Sequence, residues 1–266
     1  MSDKAFNTYY QTMTQVAVDV IGSEELQKDF AGSGVKLKDW QDLTKHGQAA
    51  ESFDLAQTKA TQTLEPAQNA LEAALEIINQ GISSITNSKK AILRDLEEEP
   101  TATEDDKIFV RDLSFASLAP TRKKESEEER RNYQSKAQEA IKLQVTRMVD
   151  GINAEERKTV AKAFTGRDLD AATLATFKKA ATDLSGLQSA RDTLYLRWLE
   201  AGQREREEIA EVCKIWDSIR QNVTKVGKTK KAVALLLERL KKANEQAKTG
   251  PSKKAAETKT KAEAKK

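Results

Sequence analysis

One cysteine, Cys213, and one histidine, His46, are all that 266 residues hold of those two types. A lone cysteine excludes an internal disulfide framework and any CxxC metal site. A lone histidine excludes a multi-histidine metal centre and leaves a histidine-based triad without its supporting network. Motifs that cradle phosphates, bind dinucleotides, hold catalytic zinc or expose a nucleophilic serine are also missing. The carboxylates of Glu97–Glu99, Glu127–Glu129 and Glu207–Glu208 fall in charge runs, which belong on solvated faces. No Glu-x-x-His pair is available for a helical di-metal site. No catalytic residue, metal or cofactor is expected, and the chain does not read as an enzyme.

Long apolar runs are scarce too. None approaches the roughly 18 residues that a spanning helix needs. The N-terminus, MSDKAFNTYYQ, lacks the basic stretch and apolar core of a secretory signal. A cytoplasmic protein, or one peripheral to a membrane, is the expectation. Cys213 lies beside the apolar positions Val212 and Ile215 and reads as a small packed hydrophobe.

What the chain has is helix. Charged residues make up 33% of it against 38% hydrophobic and 5% aromatic, with only four prolines and eleven glycines. Ala, Glu, Lys, Gln and Leu dominate, as in long helices and coiled coils. Leu71, Leu75, Ile78, Ile82 and Ile85 recur at steps of four, three, four and three. That is the seam of a helix lying against another helix. The seam reaches back to Leu64 and forward to Ile92 and Leu96, with Lys89 the odd member. Pro66 lies within it and predicts a kink or a fresh helix start. A second seam runs from Leu184 through Val212, Ile215 and Ile219 to Ala243, and predicts one helix from Thr182 to Lys248. It is the leading partner for the first. Glu205 and Glu208 interrupt it, which predicts that the partner helix ends there and leaves this turn solvated.

The fold expected is all-α: an elongated, rod-like bundle of long, kinked coiled-coil helices with a disordered basic C-terminal tail. Residues 1–34 read as a short amphipathic helix (Phe6, Tyr10, Met13, Ala17, Val20) stopped by the Gly-rich AGSG at 31–34. Residues 35–249 form the coiled-coil domain, in which about 100–122 is a loop or tip. A further seam, Ile141, Val145, Met148 and Ile152, marks a third helix, and Asn153 and Asp168 are candidate N-caps beyond it. Residues 250–266 are the tail.

Net charge is +3, concentrated at the C-terminal end. Nine basic residues against two acidic ones lie between Lys214 and Lys242, and the tail from Lys248 adds seven lysines against two glutamates. Lys225, Lys228, Lys230, Lys231, Arg239, Lys241, Lys242, Lys253 and Lys254 are therefore the candidate contacts for an anionic surface. Aromatics for base stacking are not interleaved with them, which disfavours sequence-specific RNA reading. Ile108, Phe109, Val110, Leu113 and Phe115 form the densest apolar cluster off the seams, either a cap on the bundle or a tip for a membrane or partner. Leu71, Leu75, Ile78, Ile82, Ile85, Val212, Ile215 and Ile219 are the candidate self-association seam.

In helix number, length and charge this plan resembles BAR-type membrane-shaping modules. The resemblance implies a non-catalytic, self-associating rod, a dimer, that binds or scaffolds an anionic membrane or a protein assembly. The alternatives are a soluble component of an α-helical pore-forming toxin, with 108–118 as its membrane element, and a nucleic-acid-associated scaffold using the basic tail. Leu75→Asp combined with Ile78→Asp should lower the melting temperature and helicity, because each apolar side chain contributes roughly 1.5–3 kcal/mol when buried. Circular dichroism melting checks this, and an unchanged melt rejects the seam.

Overall fold

The computed structural model describes residues 3–116 and 127–249, with side chains placed for 9–116 and 135–245. Among these residues the chain is all-α. In order come α1 (Asp3–Ile21), α2 (Glu24–Phe30), α3 (Leu37–Glu98), α4 (Glu104–Asp112), α5 (Glu127–Ile152), α6 (Lys158–Thr165), α7 (Ala171–Gly227) and α8 (Lys231–Thr249). The expected tail at 250–266, with Lys253 and Lys254, lies outside the described residues, as do positions 117–122 of the loop or tip.

Local chemistry sets the helix starts. The Ser23 hydroxyl accepts a hydrogen bond from the Leu26 amide and begins α2. The first amphipathic segment is therefore two helices, and the Gly-rich turn stops the second. Thr103 and Asp106 cap α4 reciprocally, each side chain accepting from the other's amide. Asp170, rather than Asp168, begins α7 by accepting from the Thr173 amide. Asp168 instead takes a left-handed backbone at φ 60° in the turn after α6.

Two long helices depart from the sequence expectation. α3 starts at Leu37, well before the apolar seam at Leu64, and runs through Pro66 without a fresh start. Proline forfeits one backbone hydrogen bond, but Thr61, Gln62, Thr63, Glu65 and Pro66 are all exposed, so water can satisfy the freed carbonyl. The last helix, by contrast, is not continuous from 182 to 248. α7 begins at Ala171 and ends at Gly227, and α8 is separate.

The chain divides into two compact units. One comprises Met1–Thr61 and Leu196–Lys266, the other Gln62–Tyr195. In the first unit, Tyr10, Met13, Val16, Ala17 and Val20 of α1 pack with Trp40, Leu43 and Ala50 of α3. Ile209, Val212, Trp216, Ile219 and Val223 of α7 and Val233, Leu236 and Leu240 of α8 complete that core. In the second unit, Leu71, Ile78, Ile85, Ile92 and Leu96 of α3 pack with Ile141, Val145, Met148 and Ile152 of α5. Val160 and Phe164 of α6 and Leu174, Phe177 and Leu184 of α7 close it.

The polar interruptions of the seams are accounted for within each unit. Lys89 donates to the carbonyl of Leu113 at 2.9 Å. The Glu205–Glu208 turn is not solvated as expected: Glu205 is buried, and the Glu208 carboxylate lies 2.6 Å from Nδ1 of His46 on α3. The partner helix does not end at this level, because α3 extends 27 residues ahead of its apolar seam.

Tyr10, only 1% exposed, gives the first unit an alkaline limit. Burial, and after it the carboxylates of Glu205, Asp54 and Glu51, push its phenol up to about 12. Above the free-tyrosine range near 10 the unfolded chain ionises while the folded one keeps its proton, so stability declines between about pH 10 and 12. Urea titrations across that range should show this decline, and Tyr10→Phe should make it shallower.

Candidate anionic-surface interface

The basic residues that sequence alone assigned to one straight helix are gathered around a corner. Hydrogen bonds from the amides of Thr229 and Lys230, and from the Thr229 hydroxyl, converge on the Val226 carbonyl and end α7. α8 then turns back and packs along α1. Gly227 makes the tight return feasible. A Cβ there would come within 2.5 Å of Leu237 Cδ1 on α8.

The corner is buttressed from the other side by the turn between α2 and α3. Gly32 and Gly34 sit at φ 75° and 85°, the left-handed region open to glycine. The backbone at Gly34 can thereby approach the Asn222 side chain, where an added Cβ would stand 3.2 Å from Nδ2. Lys230 reaches across to Asp29 at 2.9 Å, and that carboxylate holds the ammonium above the ordinary lysine range. Arg239 pairs with Asp19 on α1 at 2.7 Å, and Lys242 with Glu238 on its own helix at 3.0 Å.

These pairs sort the candidate contacts. Lys230, Arg239 and Lys242 already neutralise neighbours, whereas Lys225, Lys228, Lys231 and Lys241 are exposed and have no acidic partner among the described residues. The fold adds Lys28, Lys36 and Lys38, also exposed and unpaired among the described residues. Sequence reasoning missed these three because they lie almost 200 residues from Lys225. Glu24, Glu25 and Asp29 on α2, and Asp39 on α3, are the nearby acidic residues in sequence; Asp29 is taken by Lys230, and the Asp39 carboxylate accepts from the Lys36 amide.

The other candidate groups occupy different places. Val110 is fully buried in the second unit, and Phe109, Leu113 and Phe115 pack against the same core. Phe109 lies under the Arg157 guanidinium, 4.6 Å from its ring centre, and Phe115 meets Phe177 edge-on at 6.2 Å. Ile108 is the exposed member. Of the assigned self-association seam, Leu71, Ile78 and Ile85 are buried in the second unit's core, with Leu75 and Ile82 packed beside it. Val212 and Ile219 are buried in the first unit's core, with Ile215 beside it. One presumed seam is thus two, each used inside the chain.

Two chemical possibilities can be placed as well. Cys213 is half-buried, and burial followed by the Asp217 carboxylate pushes its thiol up, away from the reactive thiolate. Among the described residues no three His, Cys, Asp or Glu side chains converge as a metal site requires, and no helix is long and apolar enough to cross a membrane.

Gly227→Val should destabilise the first unit by about 1–3 kcal/mol, because a branched side chain must displace Leu237. The change should appear as a lower melting temperature with faster hydrogen exchange in α8. Compared with protein families, curated proteins and solved structures, the chain matches none.

Proposed function

We propose that this protein is a non-catalytic helical module that binds an anionic membrane surface, with the lysines at the α7–α8 corner as its contacts. The observation that carries the reading is that the α2–α3 turn lies against the α7–α8 corner, so that Lys28, Lys36 and Lys38 and Lys225, Lys228 and Lys231, all exposed and without acidic partners among the described residues, stand on adjoining elements. Unpaired ammonium groups at helix ends and in the turns between them form a local positive field even though the whole chain is only +3. Such clusters attract anionic lipid at about 1 kcal/mol per lysine, an attraction that salt weakens.

The pore-forming alternative draws less support, since it needs the apolar side chains near 108–118 to be available and four of them pack on the chain's own core. Self-association through the assigned seam draws less for the same reason. A nucleic-acid scaffold would use the same charge, but aromatic side chains for stacking are not interleaved with these lysines.

Full-length protein should co-sediment with vesicles containing phosphatidylserine, only weakly with pure phosphatidylcholine, and progressively less as salt rises. Replacing Lys225, Lys228 and Lys231 together by Gln should weaken the interaction about a hundredfold. No binding to the anionic vesicles rejects the proposal. Equal, salt-sensitive affinity for duplex DNA would favour the nucleic-acid reading.

A further inference from the structure

The basic side chains of α8 surround a leucine that the fold does not use. Val233, Leu236, Leu240 and Ala243 are buried on the inward face of α8, and Leu237 packs beside that core at Gly227. With the inward face filled, Leu235 is left outside at 56% exposure, the most exposed large apolar side chain among the described residues. In water it forgoes the gain of burying a leucine. One exposed leucine is ordinary on a protein surface, so its meaning depends on its neighbours.

Two other leucines of the first unit are exposed almost equally, Leu55 at 54% and Leu196 at 53%. Residues one turn away share a helix face with them. For Leu55 these are Glu51 and Lys59, and for Leu196 they are Asp192 and Glu200. Either leucine would carry a carboxylate against an anionic surface. Leu235 instead has Lys231 one turn before it, Arg239 one turn after and Lys242 two turns after, with Lys228 in the turn that leads into α8. Lys228 and Lys231 are exposed and have no acidic partner among the described residues. Glu238, the one acidic residue within a turn of Leu235 on α8, is held by Lys242 at 3.0 Å.

We propose that Leu235 is the apolar anchor of the membrane contact. α8 lies side-on against an anionic bilayer, with Leu235 at the boundary between head groups and acyl chains and with Lys231 and Lys242 beside the phosphates. Apolar and cationic side chains act together at that boundary, because lysine stems reach back to the phosphates while the helix face sinks. The inference rests on the membrane reading above and deepens it, adding an apolar contribution to a contact otherwise made by charge. Salt screens the lysines but not the burial of a leucine, so the two contributions separate in an experiment. A nucleic acid would engage the lysines and gain nothing from Leu235.

The test is co-sedimentation of the full-length protein with phosphatidylserine vesicles across a range of salt. Leu235→Gln should weaken binding about tenfold, roughly the value of one leucine moved out of water, and by the same factor at every salt concentration. Leu235→Ile and Leu55→Gln should bind as the wild type does, and all three variants should melt with it because both positions are exposed. A bimane probe on Leu235→Cys, in a Cys213→Ser background, should be quenched by vesicles whose acyl chains are brominated, and the same probe on Leu55→Cys should not. A Leu235→Gln titration matching the wild type would overturn the anchor and leave the lysine reading intact. So would equal quenching at the two positions in protein that sediments. Failure of the wild type to sediment with these vesicles would remove both readings.

Discussion

Everything else in this fold answers to one packing constraint: α3 and α7 each carry a longer apolar stripe than one core can cover. No residue between Ala50 and Leu71 on α3 is buried, nor any between Leu184 and Ala201 on α7. Each stripe therefore divides into two stretches, and each stretch recruits other helices to exclude water. Two-helix contact alone leaves much of an apolar stripe wet. In one unit the covering comes from α1, α2 and α8, and in the other from α4, α5 and α6.

That requirement has a consequence for charge. α8 must return along α1 to cover the first core, and the return brings lysines from α7 and α8 to a corner beside the α2–α3 turn. Some of the charge is absorbed locally, through Lys230 with Asp29 and Arg239 with Asp19. The remainder faces solvent, where like charges repel mildly and an anionic surface would relieve the repulsion. The small cleft under the α2–α3 turn arises from the same geometry. Two left-handed glycines carry the chain from α2 to α3 quickly, and the space beneath the turn is left to Phe30, Val35 and Trp40.

The sequence makes the helical class and the inward face of each long helix plain, because a period of three and four is sufficient to identify them. Leu71, Ile78 and Ile85 are buried as their spacing requires. Their partners were legible only in part. The C-terminal helix does cover them, through Phe177 and Leu184 of α7, but a periodic stripe does not state how many helices must cover it, and Ile141, Val145 and Met148 of α5 share the task. The break at 228–230 was hidden for a related reason. Val226, Thr229 and Val233 keep the step of three and four across it, and lysine is a good helix former. Only Gly227 marks the place, and its role depends on Leu237. The Glu205–Glu208 gap needed a partner 162 residues away in His46. The lysine corner was half visible, because its α7 and α8 lysines are neighbours in sequence while the turn that carries Lys28, Lys36 and Lys38 meets the corner only in three dimensions.

Hydrogen–deuterium exchange of the full chain, with and without phosphatidylserine vesicles, tests the central claim most directly because it locates the contact without any substitution. The account predicts slower exchange at residues 28–38 and 225–235 when anionic vesicles are present, with residues 104–116 unchanged. Protection confined to 104–116, or an identical pattern with and without anionic vesicles, would contradict it.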